Sequence, residues 1–370
     1  MYLSAESRNH KPFGTPAIAL ATVALAAVAA LAGCKDPGAS ASPQPTTSVV
    51  DANAPAGSAG SAGTGASAGT GASAGAGTPA PTPASPSATK AATSPAPTRT
   101  STSSPPTYAG FPAEHNTGYP KGLPGDSRPP VKLTAYTGSK SIAVNGTVID
   151  GKDIVGPLLI NAKNVVIRNS RIRVSNAQAV TSTDNYANLL IQDTEIDGQG
   201  LDASAGGIAL IGRTGYTLVR VNAHGSGDIL RLDGRGTVQD SWLHDPKGLA
   251  GSQHNDVIQS TNASYVRILH NRLENQHTQT SCILLKADLG TISDVVVDSN
   301  LMNGGGYSFY WYDANYRITN GKVTNNRFMR SPTGGYWPKG GYYGTNALKA
   351  AQLPQWSGNA WYDTGQSISM

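Results

Sequence analysis

Between residues 131 and 328 the chain repeats one pattern: two or three apolar residues, a pair of small polar residues, then a large apolar residue. Clear copies cover 165–172, 189–196, 238–243, 266–273, 295–301 and 323–328, and a weaker copy covers 218–224. The closing apolar residues are Ile172, Ile196, Leu243, Leu273, Leu301 and Phe328, at steps of 24, 47, 30, 28 and 27 residues. Short strands recurring every 20 to 30 residues or so, without a helical pattern between them, predict a β-solenoid.

A second series of apolar segments precedes these copies. Its members are 206–210, 227–232, 255–259, 282–286 and 307–311, which begin 21, 28, 27 and 25 residues apart. Two series in phase, each with alternating apolar residues, predict parallel sheets around a common core. Residues one period apart would then be neighbours on adjacent coils, about 4.8 Å apart.

Polar pairs mark the predicted corners. These pairs are Asn169-Ser170, Asp193-Thr194, Asp240-Ser241, His270-Asn271 and Asn325-Asn326. Asn, Asp and Ser tolerate the left-handed backbone conformation and can hydrogen-bond the backbone of the next coil. The pairs therefore predict tight turns.

The repeats resemble those of a known family. The motifs GTVIDGKDI (146–154) and VVIRNSRI (165–172) resemble the opening of right-handed parallel β-helix proteins of the pectate-lyase-like superfamily. The motifs DSWLHD (240–245), HNDVIQ (254–259) and LMNGGGY (301–307) are similar to stretches common in secreted bacterial members. The resemblance covers about residues 131–330 and implies an all-β, right-handed parallel β-helix of about seven to nine coils with capped ends. It implies no single activity, because the superfamily includes lyases, hydrolases, epimerases and non-catalytic proteins.

Composition separates the N-terminal third from the repeats. Residues 35–106 are almost entirely Ala, Gly, Ser, Thr and Pro, which predicts a disordered tether. Before it, Arg8 and Lys11 precede an uncharged Ala-rich segment that ends in LAGC (31–34), typical of an export signal. This tetrapeptide resembles the lipobox of bacterial lipoproteins, which implies lipidation at Cys34. The alternative is an uncleaved membrane helix over 12–34. Both interpretations predict a domain outside the cytoplasmic membrane, anchored at its outer face.

The chain of 370 residues is thus predicted to have five parts. These are a lipoprotein signal peptide (1–34), a tether (35–106), an N-terminal cap segment (107–130), the parallel β-helix (131–332) and a C-terminal cap (333–370). Both ends of a β-helix expose open strand edges that must be covered. The aromatic residues of the last part are Tyr336, Trp337, Tyr342, Tyr343, Trp356, Trp361 and Tyr362. They are predicted to pack as a cap, and a sugar-stacking platform is the alternative.

The net charge and the cysteine content limit the binding partners and the disulfide bonds that can be expected. The net charge is +5 and the basic residues are scattered, so no nucleic-acid partner is expected. Besides Cys34 the chain contains only Cys282, predicted to be a small buried hydrophobe, so no intramolecular disulfide is expected. A monomer is expected. A recurring row of charged residues is predicted to be a solvated face: Arg171, Glu195, Arg272 and Arg327.

The densest polar cluster lies on three consecutive coils. Its members are His224, Asp228, Arg231, His244, Asp245, His254, Asp256, Gln259, Lys286 and Asp288. Aligning 227–231 with 255–259 places Asp228 beside Asp256 and Arg231 beside Gln259. Two carboxylates about 5 Å apart could share a proton, share a cation, or act as acid and nucleophile.

Three activities fit this cluster. In β-elimination from a uronate polymer, His254 or Lys286 would be the base, while Arg231, or Ca²⁺ held by Asp228 and Asp256, would neutralise the carboxylate. In glycoside hydrolysis, Asp228 and Asp256 would be the acid and the nucleophile or base. In the third case the groove binds a linear glycan without cleaving it.

The predicted catalytic residues are thus His254, Asp256, Lys286 and Asp228. The predicted substrate-binding residues are Arg231, Gln259, His224, His244 and Tyr307, although His224 could instead point into the core. The three cluster histidines lack the spacing of a zinc site. The paired-Asp and Asn-Thr-Asp signatures of polygalacturonase-like hydrolases and the Trp-Ile-Asp-His motif of pectate lyases are missing. The sequence therefore predicts a polysaccharide-binding lipoprotein, with lyase activity favoured over hydrolase activity and a non-catalytic protein as the alternative.

Overall fold

The computed structural model describes residues 108–175, 177–199, 209–247, 255–277, 280–329 and 344–370. As predicted, these residues form an all-β, right-handed parallel β-helix, built from three sheets. No helix in these ranges is long and apolar enough to cross a membrane. The predicted signal peptide, its Cys34 and the tether lie outside the described residues.

The described strands repeat in the order sheet A, sheet B, sheet C, and each strand pairs in parallel with the strand three later. Sheet A consists of β1 Thr134–Ala135, β4 Lys152–Val155, β7 Arg171–Arg173, β10 Glu195–Asp197, β13 Asn222–His224, β16 Trp242–His244, β19 Arg272–Asn275, β22 Leu301–Gly304, β25 Arg327–Phe328 and β28 Ala360–Trp361. Sheet B consists of β2 Ser141–Ile142, β5 Leu158–Ile160, β8 Val180–Ser182, β11 Ala209–Arg213, β14 Asp228–Arg231, β17 Ile258–Ser260, β20 Ile283–Ala287, β23 Tyr307–Asp313 and β26 Gly344–Lys349. Sheet C consists of β3 Val148–Asp150, β6 Val166–Arg168, β9 Leu189–Gln192, β12 Tyr216–Val219, β15 Gly234–Gln239, β18 Ala263–Leu269, β21 Ile292–Asp298, β24 Ile318–Thr324 and β27 Gln355–Ser357.

The predicted polar pairs form the turns from sheet C to sheet A. The first member of each pair has a left-handed backbone, with φ of 49° at Asn169, 46° at Asp193, 50° at Asp240, 51° at His270 and 56° at Asn325. The turns are two residues long, so sheets C and A meet at a sharp corner. The predicted turn chemistry is confirmed.

The second residues of the C-to-A turns stack inside the corner, and they include Asn300 and Asn359, whose turns were not among the predicted pairs. An asparagine ladder, formed by Asn271, Asn300, Asn326 and Asn359, is buried at 0–1% exposure. Asn300 Oδ1 accepts from the Asn271 backbone N–H at 2.9 Å, and Asn326 Oδ1 accepts from that of Asn300 at 2.9 Å. The ladder thus joins successive coils through buried hydrogen bonds.

Stacked apolar side chains fill the helix. Ile172, Ile196, Ala223 and Leu243 occupy equivalent positions of sheet A and are fully buried, which confirms the weak copy at 218–224. One register prediction is wrong by a residue. Met302, not Leu301, pairs with Leu273 in the core column, and Leu301 packs outside that column against Tyr108. Cys282 is buried, as predicted.

Residues 108–131, here called the N-terminal strap, lie along the side of the helix. Tyr108 contacts Tyr362 of the last coil, with ring centroids 5.5 Å apart. Farther along, the Gly118 N–H donates to the Arg220 carbonyl at 2.9 Å, and Arg128 Nη1 donates to Asp193 Oδ1 at 2.7 Å. The segment predicted as an N-terminal cap therefore contacts several coils laterally.

The C-terminal residues complete the helix. Strands β26, β27 and β28 lie in the segment predicted as a cap, and they add one strand to each sheet. Trp356 and Trp361 are partly buried and pack against the hydrophobic core. Tyr336, Trp337, Tyr342 and Tyr343 lie outside the described residues.

The longest connections between the described strands lead from sheet A to sheet B. They include 198–208, 245–257 and 329–343, whereas the C-to-A turns have one or two residues. Loops on a regular scaffold commonly carry binding and catalytic groups. Binding or catalytic groups are therefore expected on the outer faces of sheets A and B, next to this corner.

Candidate functional site

The structure divides the predicted cluster between two faces. Arg231 pairs with Gln259 on sheet B, which confirms the alignment made from the sequence. Lys286 lies on the same sheet, two residues beyond the partner of Gln259. His224 and His244 instead pair with each other on sheet A. His254 lies outside the described residues.

Asp228 and Asp256 are buried at the start of two sheet B coils, 3% and 0% exposed. Asp228 Oδ1 accepts from the Asp256 backbone N–H at 2.9 Å. Asp256 Oδ1 in turn accepts from the Ser281 N–H at 2.9 Å and from its hydroxyl at 2.6 Å. The two carboxyls thus occupy neighbouring coils, as predicted, and each links its coil to the next through a backbone hydrogen bond.

The environment of this pair does not suit Ca²⁺. Burial, reinforced by the charge of Asp256, raises the pKa of Asp228 well above its ordinary value. Ca²⁺ requires six to eight oxygen ligands, whereas Oδ1 of each residue accepts N–H donors. The described residues contain no group of three or more His, Cys, Asp or Glu side chains able to hold a metal ion.

The outer face of sheet B carries matched charges. Arg231 Nε donates to Asp233 Oδ2 at 2.9 Å, and Arg231 Nη2 donates to the Thr261 hydroxyl at 3.1 Å. Two coils beyond Arg231, Lys286 Nζ lies 3.3 Å from Asp288 Oδ2. Each of these basic side chains is paired with an aspartate, so this part of the face offers hydrogen-bonding groups but little net charge.

Three tyrosines extend this face, and only Tyr307 was predicted to bind substrate. The ring of Tyr310 lies 5.5 Å from those of Tyr307 and Tyr312, and all three side chains are partly exposed. Tyr312 pairs with Lys286, whereas Tyr310 pairs with Leu284, which separates it from Gln259 on the next strand. Strand alternation could have found Tyr310 and Tyr312, because the neighbouring Phe309 and Trp311 are fully buried.

The hydroxyls of this tyrosine stripe (Tyr307, Tyr310 and Tyr312) are suited to neutral ligands. Burial raises the pKa of Tyr310 and of Tyr312. Both hydroxyls therefore remain protonated at neutral pH and can donate as well as accept hydrogen bonds.

On sheet A, His224 points outward between two carboxylates, which excludes the alternative of a core histidine. Its Nε2 lies 3.7 Å from Glu195 Oε1 and its Nδ1 lies 3.7 Å from Asp197 Oδ1. Lys121 of the strap lies 3.1 Å from Glu195 Oε2. Although burial opposes ionisation, the contacts with His224 and Lys121 lower the pKa of Glu195 to about 2.

His244 belongs to a packed aromatic stack. Its ring lies 3.8 Å from that of Trp242 and 5.0 Å from that of His224. His244 Nε2 is 3.0 Å from Asn222 Oδ1. Burial lowers the pKa of His244, despite its contact with Asp245. These contacts fix the imidazole within the sheet.

The predicted solvated face is wrong at two positions. Arg272 is 1% exposed and forms an ion pair of 3.0 Å with the buried Glu274. Its guanidinium lies 4.5 Å from the ring of Tyr108 in the strap. The Glu195 side chain, 13% exposed, is covered likewise through Lys121. The strap therefore removes much of this face from solvent.

No protein-family model, curated protein or solved structure matches the chain.

Proposed function

We propose that this protein binds a linear polysaccharide along the outer face of sheet B. The observation that carries the proposal is the tyrosine stripe, which lies on the strand next to Lys286 and on the same sheet as Gln259 and Arg231, two and three strands away. Flat aromatic rings can pack against sugar rings, while amide, hydroxyl and charged groups can hydrogen-bond sugar hydroxyls. A straight face built of equivalent coils suits a polymer.

The burial of the predicted catalytic carboxyls favours binding over hydrolysis. A glycoside hydrolase needs two carboxyl groups that reach the scissile bond. Asp228 and Asp256 are 3% and 0% exposed, and backbone hydrogen bonds occupy Oδ1 of each. Their geometry supports a role in joining coils.

The binding proposal is tested by titrating the full chain with neutral and uronate-containing oligosaccharides, with and without Ca²⁺, in a calorimeter. Tyr310→Ala should weaken binding about tenfold or more, as expected for loss of a central aromatic contact. The matched control is Tyr316→Ala, because Tyr316 is 49% exposed and lies outside the stripe. Absence of binding to every glycan, or equal loss in both variants, would contradict the proposal.

A second candidate function is β-elimination with Lys286 as the base. The position of Lys286 favours this activity, because the side chain is 30% exposed and lies beside Tyr312 on the proposed binding face. The reaction would form an unsaturated uronate, detected by absorbance at about 235 nm. Lys286→Met should abolish this signal while glycan binding persists. His254→Ala tests the other predicted base, and absence of product from any uronate polymer would exclude the activity.

We also propose that Cys34 anchors the protein to the outer face of the cytoplasmic membrane as a lipoprotein. The support is the LAGC tetrapeptide after an uncharged, Ala-rich segment. Cys34→Ala should prevent incorporation of a labelled fatty acid. It should also lower the share of the protein that is recovered with the membranes. Equal labelling of both forms would overturn this proposal.

A further inference from the structure

On sheet C and the connection that precedes it, aromatic rings and guanidinium groups alternate. The Arg235 guanidinium carbon lies 5.7 Å from the ring centre of Tyr186 and 4.5 Å from that of Tyr265. The Arg267 guanidinium carbon lies 4.1 Å from the same Tyr265 ring. We call these four residues the Tyr–Arg stack. Tyr186 is 70% exposed and Tyr265 is 41% exposed, so the stack faces solvent.

Tyr265 adopts a backbone conformation that disfavours a large side chain. Its φ is 61°, in the left-handed region. Equivalent positions of other coils have the same conformation but carry Asn164, Asn188, Gly215, Asp294 and Asn320. Those residue types tolerate this conformation, whereas a tyrosine is strained there. Cation–π contacts at exposed sites are weak, so stability alone does not account for this tyrosine.

A β-bulge places Tyr265 beside Arg235. Gly234 pairs with Ala263 and Gly236 with Val266, so two residues of β18 lie opposite Arg235 alone. Bulges re-aim side chains and are frequent next to functional sites. Here the bulge turns the Tyr265 ring onto the guanidinium.

Arg235 differs from the other arginine of the stack in its partners. Arg267 Nη2 bonds Asp294 Oδ1 at 3.0 Å, which satisfies its charge. The Arg235 guanidinium forms neither an ion pair nor a hydrogen bond with any described residue, and only ring contacts are found. Since rings cover the flat faces of a guanidinium, its N–H edge remains available to a ligand.

Next to this edge is an open recess of about 280 Å³. Its lining includes Tyr186, Tyr265, Asn188, Thr217 and Thr237, which offer aromatic faces and neutral hydrogen-bonding groups. The volume suits one sugar residue or one small anion rather than a large cofactor.

We propose that the Tyr–Arg stack is a second binding site, which takes an oxyanion through Arg235. The guanidinium fork matches a carboxylate or phosphate geometrically, and the rings hold the fork in place. The oxyanion can be the carboxylate of an acidic saccharide, packed on Tyr186 or Tyr265, or a phosphate group. This site is independent of the tyrosine stripe, which lies on sheet B.

The experiment uses the full chain carrying Tyr310→Ala, so that binding at the stripe is weakened. Calorimetric titrations with hexagalacturonate, its methyl-esterified form and inorganic phosphate separate the ligand sources. Hexagalacturonate or phosphate should bind, and the neutral ester should not. Arg235→Met should weaken this binding about tenfold or more, because a charged hydrogen bond is lost. Arg317→Met, which removes an exposed arginine elsewhere, should have no effect.

A further variant separates binding from structure. Tyr265→Asn introduces the residue type that other coils carry at this position, so thermal stability should stay equal or rise while binding falls. A purely structural ring would instead lower the melting temperature. The proposal is overturned if neither anion binds, if the neutral ester binds equally well, or if Arg235→Met and Arg317→Met behave alike. Each of these outcomes leaves the sheet B proposal untouched, because that proposal depends on Tyr310.

Discussion

At the scale of single residues, the carboxyl group of Asp228 shows how burial changes the role of an acid. Transfer from water disfavours the charged form, and the neighbouring Asp256 adds to this effect. The structural role of the Asp228 side chain is to accept a hydrogen bond from the Asp256 backbone N–H through Oδ1. An amide oxygen would serve equally well.

Asp228→Asn is therefore expected to stabilise the protein at neutral pH. The pKa of Asp228 is raised in the folded state, so its contribution is most favourable at low pH and is lost as pH rises above about 3.9 through the folded value. The substitution removes this loss, so the gain in the free energy of unfolding should be larger at pH 8 than at pH 4. Urea unfolding of both forms at the two pH values checks this. A large destabilisation at pH 8 would show that the charge is needed.

At the scale of elements, the asparagine ladder makes the C-to-A corner continuous. Each side chain satisfies donors and acceptors of the adjacent coils: Asn300 Nδ2 donates to the Ile268 carbonyl at 2.8 Å and to Asn326 Oδ1 at 3.0 Å. Buried backbone groups must find such partners. Earlier coils use Ser170 and Ser241 at the same corner, which form fewer bonds of this kind.

Asn300→Ala should destabilise the helix by roughly 3 kcal/mol or more, because several buried groups each lose a partner. The same change at Asn161, which is exposed and whose side-chain amide donates to the Ser141 hydroxyl, should cost less than about 1 kcal/mol. Chemical unfolding measures both. Equal costs would mean that the ladder contributes no more than a surface contact.

At the scale of the whole molecule, the strap connects distant coils along one side. Its contacts extend from Tyr362 near the end of the helix to Glu195 and Asp193 in an earlier coil. It also covers the buried Arg272–Glu274 pair. Loss of the strap would expose this pair to water, so strap and sheet A are expected to unfold together.

The strap attachment at Glu195 is expected to weaken in acid. The pKa of Glu195 is lowered from an ordinary 4.5 to about 2 in the folded protein. The ionised carboxylate therefore stabilises the folded state fully above pH 4.5, and this stabilisation is lost as pH falls towards 2. This shift corresponds to roughly 3 kcal/mol. The stability difference between the wild-type chain and Glu195→Gln should therefore shrink from that value at pH 7 to near zero at pH 2. Hydrogen exchange of the Gly118 amide should follow the same trend, and a pH-independent difference would contradict the assignment.

Short-range patterns made the fold predictable. The polar pairs identified the turns because their conformation depends on the residues at the turn itself. The repeat, however, indicated two ladders where the structure has three sheets. Each copy of the pattern spans a corner, as Val166–Arg168 and Arg171–Arg173 show, and belongs to sheets C and A together.

The candidate site was only partly predictable. Alternation along 307–312 is visible in the sequence and places Tyr310 and Tyr312 outside, once Phe309 and Trp311 are assigned to the core. The pairing of Arg235 with the bulge at Tyr265 has no local signal, because it depends on the register of two strands. The same applies to the strap, whose residues carry no period and whose partners lie far away in the chain.

Local periodicity was thus sufficient for the β-helix, its turns and the neighbouring positions of Asp228 and Asp256, because coil spacing follows from the repeat length. Tertiary packing decided which polar residues meet solvent. It buried Asp228, Asp256 and Arg272, and it left the tyrosine stripe and Arg235 open. Exposure depends on what covers each face, and here the strap and neighbouring coils supply the cover.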